Sequence, residues 1–349
     1  MNAAGEPVAR ILIVAPNWIG DTLLARPLFA RLQQRLPGVT LDALAPAWTA
    51  PVLERMPEIS RVIAADFRHG QLRLRDRWRL GRELRRHQYQ QAVVLPNTFK
   101  SALVPFFADI PLRAGFVGET RYGLINIVHK LDETRLPLMA DRYAQLAEKP
   151  GDAVAPLVAV PRLTVDPASV LINIARLGLD RNRPVAVFCP GAEYGPAKRW
   201  PARHFAELAR RLAARQVAVW LIGSDKDRDA GEEIARLSEG TAVNLCGRTD
   251  LASAIDLMSE AKWVVANDSG LMHVAAALGR PLVALYGSSS AKHTPPLSRL
   301  PELSRIVKLD GLDCSPCFQR VCPLGHFRCM NELTPERVLF EIDGFNPVL

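Results

Sequence analysis

The segment Asn267-Asp268-Ser269-Gly270-Leu271-Met272-His273 follows an apolar run, Trp263–Ala266, and opens a helix-like run, Leu271–Leu278. Ser269 stands where a helix N-cap belongs, and Gly270 lets a ligand come close to the backbone. Free amide groups and the dipole of a helix start favour an anion above them. His273 lies one turn after Ser269, on the same face. Phosphate binding fits this pattern. So does an ordinary capped helix with a satisfied histidine.

A second segment runs from Pro190 to Pro201, after the apolar run Val185–Cys189. It reads Pro-Gly-Ala-Glu193-Tyr-Gly-Pro-Ala-Lys198-Arg-Trp-Pro. Its glycines and prolines impose a tight path that ends on Lys198 and Arg199, just before a helix. Lysine is a compact point charge suited to phosphate oxygens. Read blandly, the segment is a connection with solvated charges. Two anion-type sites at strand ends could instead clamp one diphosphate, which points to a nucleotide-diphosphate ligand.

The third segment, Asn17-Trp18-Ile19-Gly20-Asp21-Thr22, follows the first apolar run, Ile11–Ala15. Gly20 permits close approach, and Asp21 sits at a helix start. There it is either an N-terminal helix residue or a carboxylate that takes a proton from an acceptor hydroxyl. A free Asp, with a pKa of about 3.9, is a weak base at neutral pH. It serves if burial raises its pKa, or if proton transfer is late and concerted.

Other motifs narrow the choice. A dinucleotide glycine fingerprint, a P-loop and a zincin helix are all missing. Asp225-Lys226-Asp227 spells a metal–diphosphate string, but it opens a helix and reads more simply as first-turn acids. Cys189 and Cys246 lie in or beside apolar runs and read as core thiols. Cys314, Cys317, Cys322 and Cys329 permit a tetrathiolate site. The second pair is loosely spaced for a zinc ribbon, so the expectation is no metal and a loop of reduced thiols.

These residues need a frame, and the pattern of strand, turn and amphipathic helix supplies one. Strands are expected at Ile11–Ala15, Val39–Leu44, Val62–Ala65 and Ala92–Leu95. Helices are expected at Thr22–Leu36, Asp76–Arg86 and Phe99–Phe107. After a Pro-rich connection, Pro150–Pro167, the alternation restarts with Ala168–Leu177. Strands follow at Val185–Cys189, Val217–Ile222, Trp263–Ala266 and Leu282–Tyr286. The intervening helices are Pro201–Ala214, Lys226–Leu237, Leu251–Met258 and Leu271–Leu278. Apolar strands alternating with helices predict an α/β protein with doubly wound parallel sheets covered on both faces. The expected domains are 1–165 and 166–349. A tail helix, Thr334–Phe345, is expected in the second, with packing back on the first as an option.

The chain has 349 residues, 48% hydrophobic and 23% charged, which suits two globular domains. No apolar run reaches membrane-spanning length, and the opening MNAAGEPVAR lacks a signal core. A soluble cytoplasmic protein is expected. The net charge of +8 allows an anionic partner. It is densest over Arg68, Arg73, Arg75, Arg77, Arg79, Arg82, Arg85 and Arg86, a stretch that equally suits a polar helix face. RNA is disfavoured, because no RNA-binding motif or aromatic platform accompanies the arginines.

Together the three segments, with Ser315-Pro-Cys-Phe318 and Cys322-Pro-Leu-Gly-His326, resemble the ADP-heptose:lipopolysaccharide heptosyltransferases, over nearly the whole chain. The resemblance implies a GT-B fold, with two Rossmann-like domains facing across a cleft. It implies transfer of L-glycero-D-manno-heptose from ADP-heptose, with inversion, onto the first heptose of a lipopolysaccharide inner core. Asp21 matches the family's proposed general base. Lys198 matches a diphosphate contact, and Asp268, Ser269, Gly270 and His273 match the donor-binding helix start. Asp225 matches an acidic position near the nucleoside. Gly20, Thr22 and Glu193 are carried with the donor set. No cofactor or metal is implied. The acceptor is acidic and membrane-borne, which places the enzyme at the cytoplasmic face of the inner membrane. On charge and position, Lys100, Arg113 and Arg121 are expected acceptor contacts. Alternatives are a transferase of the same fold that uses another sugar or heptose position, and a non-catalytic nucleotide-binding module.

Overall fold

Strands that are apolar on both faces set the architecture. A computed structural model describes residues 9–67, 70–153 and 159–345. It divides into two units, Met1–Pro161 and Arg162–Leu349. The first unit contains β1 (Arg10–Val14), α1 (Ile19–Leu24), α2 (Arg26–Arg35), β2 (Thr40–Ala45), α3 (Ala50–Glu54) and β3 (Arg61–Ala64). It continues with α4 (Leu74–Leu84), β4 (Gln91–Val94), α5 (Leu103–Phe107), β5 (Leu112–Phe116), β6 (Ile127–His129) and α6 (Met139–Gln145). Its parallel sheet has the order β3-β2-β1-β4-β5-β6. Leu12 and Ile13 of β1 and Val93 and Val94 of β4 are fully buried, as strands covered on both faces must be.

The second unit contains α7 (Pro167–Leu177), β7 (Val185–Cys189), α8 (Ala202–Ala213), β8 (Ala218–Leu221), α9 (Arg228–Leu237) and β9 (Ala242–Asn244). Then come α10 (Leu251–Met258), β10 (Ala261–Asn267), α11 (Gly270–Ala277), β11 (Leu282–Tyr286), β12 (Ser304–Lys308), α12 (Arg328–Asn331) and α13 (Pro335–Asp343). The order is β12-β11-β10-β7-β8-β9, again parallel. Each sheet grows outward on one side of a central strand and then on the other. The reversal falls between β1 and β4 in one unit and between β7 and β10 in the other. Open α/β sheets bind ligands outside the carboxyl ends of their strands at such reversals.

Several expectations change here. The run Thr22–Leu36 is two helices, because the turn at Ala25 ends α1 and Pro27 enters α2 without an amide donor. Short elements carry too weak a pattern to be expected: β5, β6, β9 and β12 among the strands, α3, α6 and α12 among the helices. The tail helix α13 packs on α8 and β11 of its own unit. Arg211 pairs with Glu336, and Arg215 with Asp343 at 2.6 Å. No helix among the described residues is long and apolar enough to cross a membrane.

The basic stretch is not one surface. Arg68 lies outside the described residues. Arg77 is buried, stacked 4.0 Å from the Phe67 ring and donating to the Leu72 and Lys100 carbonyls. Arg73, Arg85 and Arg86 pair with Asp76, Asp109 and Glu83. Arg75, Arg79 and Arg82 are exposed on α4.

Near the strand starts of the first unit, Asp42 is buried and takes three donors. Arg61 approaches at 2.6 Å, Arg10 at 3.3 Å and the Tyr89 hydroxyl at 2.6 Å. Burial and the Asp42 carboxylate push the Tyr89 phenol well above its usual pKa. This cluster joins β1, β2, β3 and the approach to β4. Asp42→Ala strands the phenol and leaves two arginines facing each other. We expect a loss of about 2–3 kcal/mol in urea unfolding, held below the fully buried case because both arginines reach solvent.

Candidate active site

In the second unit, β10 ends on Asn267, and two consecutive side chains there organise the loop from β7. Asn267 donates to the Pro190 carbonyl at 2.7 Å and accepts from the Trp200 amide at 3.1 Å, so it holds both ends of Pro190–Pro201. Asp268 is buried and accepts from Lys198 Nζ at 2.5 Å and from the Ser289 hydroxyl at 2.5 Å. Lys198 also lies 4.9 Å from the Tyr194 ring. The Trp200 indole donates to the Leu333 carbonyl at 2.7 Å, and His204 Nδ1 meets the same oxygen at 3.0 Å. The segment leading into α13 thereby fastens the loop from behind.

The cysteine segment fastens it from a third side. Arg320 Nε donates to the Tyr194 carbonyl and the Tyr194 hydroxyl to the Phe318 carbonyl, both at 2.7 Å. A Cβ at Gly195 would stand 2.4 Å from the Arg320 carbonyl oxygen, so only glycine permits this approach. Phe318 is tied to the Ser288 carbonyl at 2.6 Å and Ser315 to the Gly287 carbonyl at 2.7 Å. Cys314, Cys317, Cys322 and Cys329 line one small cavity with His326. Backbone N–H groups around Phe327 lower the Cys322 pKa, and burial raises that of Cys329. Among the described residues, no group of three His, Cys, Asp or Glu side chains is arranged to hold a metal.

Ser269 is the N-cap residue of α11, but its side chain makes no capping hydrogen bond. It follows Asp268 directly, so the open start of α11 comes one residue after the partner of Lys198. Gly270 is the first helical residue. His273 is buried, and its Nδ1 has no partner. Burial drives its pKa down to about 4; the attraction of Asp268 opposes this and Lys198 reinforces it. The imidazole is therefore neutral at neutral pH. Tyr194, Lys198, Asp268, Ser289, Ser290, His293, Thr294 and Phe318 line a cavity of about 280 Å³, close to the size of a small-ligand pocket. A positioned ammonium, an open helix start and a neutral imidazole suit a diphosphate.

Glu193 is exposed and paired with Lys226, and Asp225 with Arg228 at 2.6 Å. Asp227 closes a capping box with Ser224, at 2.9 and 2.7 Å. Asp225 and Asp227 thus serve the start of α9, while Glu193 joins the loop after β7 to Lys226. Sequence reading missed the loop after β11, including Ser289, Ser290, His293 and Thr294. The signal was there: Gly287-Ser-Ser-Ser290 follows a strand that pairs with β10.

In the first unit, Gly20 and Asp21 open α1 beyond β1, and Asp21 is half-buried. Thr22, expected at the donor, is fully buried, with its hydroxyl on the Trp18 carbonyl at 2.9 Å, so it acts as a helix-start brace. Lys100 lies beyond β4, on the other side of the strand-order reversal from Asp21. Arg113 and Arg121 do not present free cations. Arg113 donates to the carbonyls of Leu124 at 2.6 Å, Ile110 at 2.5 Å and Gly123 at 3.0 Å. Arg121 is buried and donates to the Pro96 carbonyl at 2.8 Å, the Asn97 amide oxygen at 3.2 Å and the Phe116 carbonyl. Charge drew attention to both, but satisfying buried carbonyls uses up their donors.

A family model for glycosyltransferase family 9 (heptosyltransferase) matches residues 77–328. The chain is 44% identical to lipopolysaccharide heptosyltransferase 2 of Escherichia coli (strain K12), over 96% of this chain and 98% of that one. It is 42% identical to lipooligosaccharide heptosyltransferase 2 of Haemophilus influenzae, over 95% and 98%. A solved structure of E. coli ADP-heptose LPS heptosyltransferase II matches with a TM-score of 0.84 and 42% identity, covering 96% and 98% of the two chains. The chain belongs to glycosyltransferase family 9, the heptosyltransferases, enzymes of GT-B fold. Within that family its likeness runs to the heptosyltransferase II proteins.

His273 yields a pH prediction. Its pKa is about 4 when folded against 6.5 for the ordinary group. Between those values the unfolded chain binds a proton that the folded chain does not. The stabilisation is complete above about pH 6.5 and is lost as pH falls toward 4, by on the order of 3 kcal/mol. His273→Gln should flatten that part of the stability–pH curve, read by denaturant titration at stepped pH.

Proposed function

We propose that this enzyme transfers L-glycero-D-manno-heptose from ADP-heptose to the first heptose of a lipopolysaccharide inner core, with inversion. The observation that carries this is the Lys198 ammonium held on Asp268 beside the open start of α11, in a chain so similar to heptosyltransferase 2 proteins. The second unit holds the ADP-sugar. As the sugar–phosphate bond breaks, charge grows on the leaving diphosphate. Lys198, Ser269 and the first amides of α11 take up that charge without reorganising. Asp21 removes the proton from the attacking hydroxyl. In an oxocarbenium-like displacement that hydroxyl acidifies late, so a weakly basic carboxylate suffices. Lys100 meets an acidic group of the acceptor. The chemistry draws on no metal and no further cofactor.

The acceptor is borne on a lipid, so the enzyme works at the cytoplasmic face of the inner membrane. The exposed Arg75, Arg79 and Arg82 suit an anionic surface. Transfer onto a core that still lacks heptose would favour the alternative in which another heptose is added.

The test uses purified protein, ADP-heptose and a core oligosaccharide bearing one heptose, with products read by mass spectrometry. Asp21→Asn should lower turnover by about a hundredfold or more while ADP-heptose binding stays near wild type. Lys198→Ala should lower turnover by a similar factor and weaken ADP binding as well. An Asp21→Asn enzyme with wild-type turnover would remove the base assignment.

A further inference from the structure

We propose that Trp18 and Trp48 form a stacking platform for the acceptor sugar beside Asp21. This rests on the reading that the first unit takes the acceptor. β1 and β2 pair in parallel, with Val14 opposite Leu44. Trp18 and Trp48 each lie four residues beyond that pair, so they hold equivalent places over adjacent strand ends. The loops around them are otherwise mostly sequestered: Pro16, Pro46, Thr49 and Ala50 are buried, and the small Asn17 and Ala47 share the exposed tips with the tryptophans. Yet the two largest side chains of these loops stand 51% and 44% exposed. Tryptophan left in water at a strand-end ligand edge is unusual for folding alone.

The Trp48 ring and the Trp18 backbone are both held. The Trp48 indole N–H donates to the Asn17 carbonyl at 2.9 Å, which satisfies its polar edge and joins the two loops. The Trp18 carbonyl accepts the Thr22 amide and the Thr22 hydroxyl, both at 2.9 Å. That fixes the start of α1, where Asp21 follows Trp18 by three residues. Beyond β4, on the other flank of β1, Phe99 is 40% exposed as well.

A pyranose carries apolar C–H faces and a polar equator. An indole face takes the former through dispersion and its negative π-cloud, and leaves the hydroxyls free for directed bonds. Stacking therefore sets the ring's plane without using up the hydroxyl that must react. A carboxylate base next to the platform then meets that hydroxyl in one orientation. The occupant this chemistry selects is the uncharged ring of the acceptor heptose; the acidic groups of the acceptor need Lys100 instead.

Steady-state kinetics with the lipid-free, one-heptose oligosaccharide test this. Trp48→Ala and Trp18→Ala should each raise the acceptor KM about tenfold, the size expected for losing one well-covered aromatic contact, with ADP-heptose KM unchanged. Trp48→Phe should recover most of the loss, which separates stacking from misfolding. Adding the oligosaccharide without donor should quench tryptophan fluorescence in the wild type and less in Trp48→Ala. An unchanged acceptor KM in both alanine variants overturns the proposal. A raised ADP-heptose KM instead overturns it in favour of adenine stacking. Quenching by the oligosaccharide in a wild type that transfers no heptose would keep the platform and defeat the reaction assigned above.

Discussion

The second unit's loop arrangement depends on the end of β10, where Asn267 and Asp268 face the loop from β7. Asn267 closes that loop on itself by taking one bond at each end. Asp268 then anchors the ammonium that the loop delivers. A lysine has a long flexible stem, and leaving it free would cost much of its value as a phosphate contact. A buried ion pair adds little net stability once desolvation is counted. Its value here is position, with Lys198 tethered at its tip before any ligand arrives. The Trp200 indole on the Leu333 carbonyl and Arg320 on the Tyr194 carbonyl extend the same restraint outward. In this way the approach to α13 reaches the loop through a backbone carbonyl, and the cysteine segment through the Arg320 guanidinium, which lies 5.6 Å from the Tyr194 ring.

The same strand order occurs in both units, with the reversal between strands in the same place. What differs is the chemistry placed there. The first unit puts a half-buried carboxylate, an ammonium and exposed aromatics around the reversal between β1 and β4. The second puts a tethered ammonium, an open helix start and a neutral histidine around the reversal between β7 and β10. One edge suits removing a proton from a neutral sugar, the other receiving charge on a diphosphate. The remaining arginines of the first unit mostly serve the fold: Arg77, Arg113 and Arg121 supply donors to carbonyls that loops leave without strand partners.

How much of this was legible in the sequence followed from signal strength. β7 and β11 were read to the residue, because five consecutive buried positions bounded by turns leave little choice. The three strand-end motifs were legible because glycine, a capping residue and a charge cluster there for a physical reason. The edge strands β6 and β9 were not, being three residues each with a partly exposed face. Arginine roles were also illegible. A guanidinium bonded to three carbonyls and one waiting for a phosphate have the same sequence. The loop after β11 was passed over because serines carry no charge, although Ser289 shares Asp268 with Lys198.

The neutral His273 keeps the charge beside the Lys198–Asp268 pair simple. Asp268 alone would draw a proton onto the ring, and Lys198 alone would repel it. Burial outweighs the attraction, so the ring stays uncharged while one nitrogen can still donate and the other accept. The carboxylate of Asp268 is matched by Lys198 rather than shared with a second cation. On the proposed reaction, charge gained by a leaving diphosphate would fall to the Lys198 ammonium and the amides of α11. Both are fixed in place before the reaction, which is the condition under which electrostatic stabilisation favours the transition state over the bound substrate.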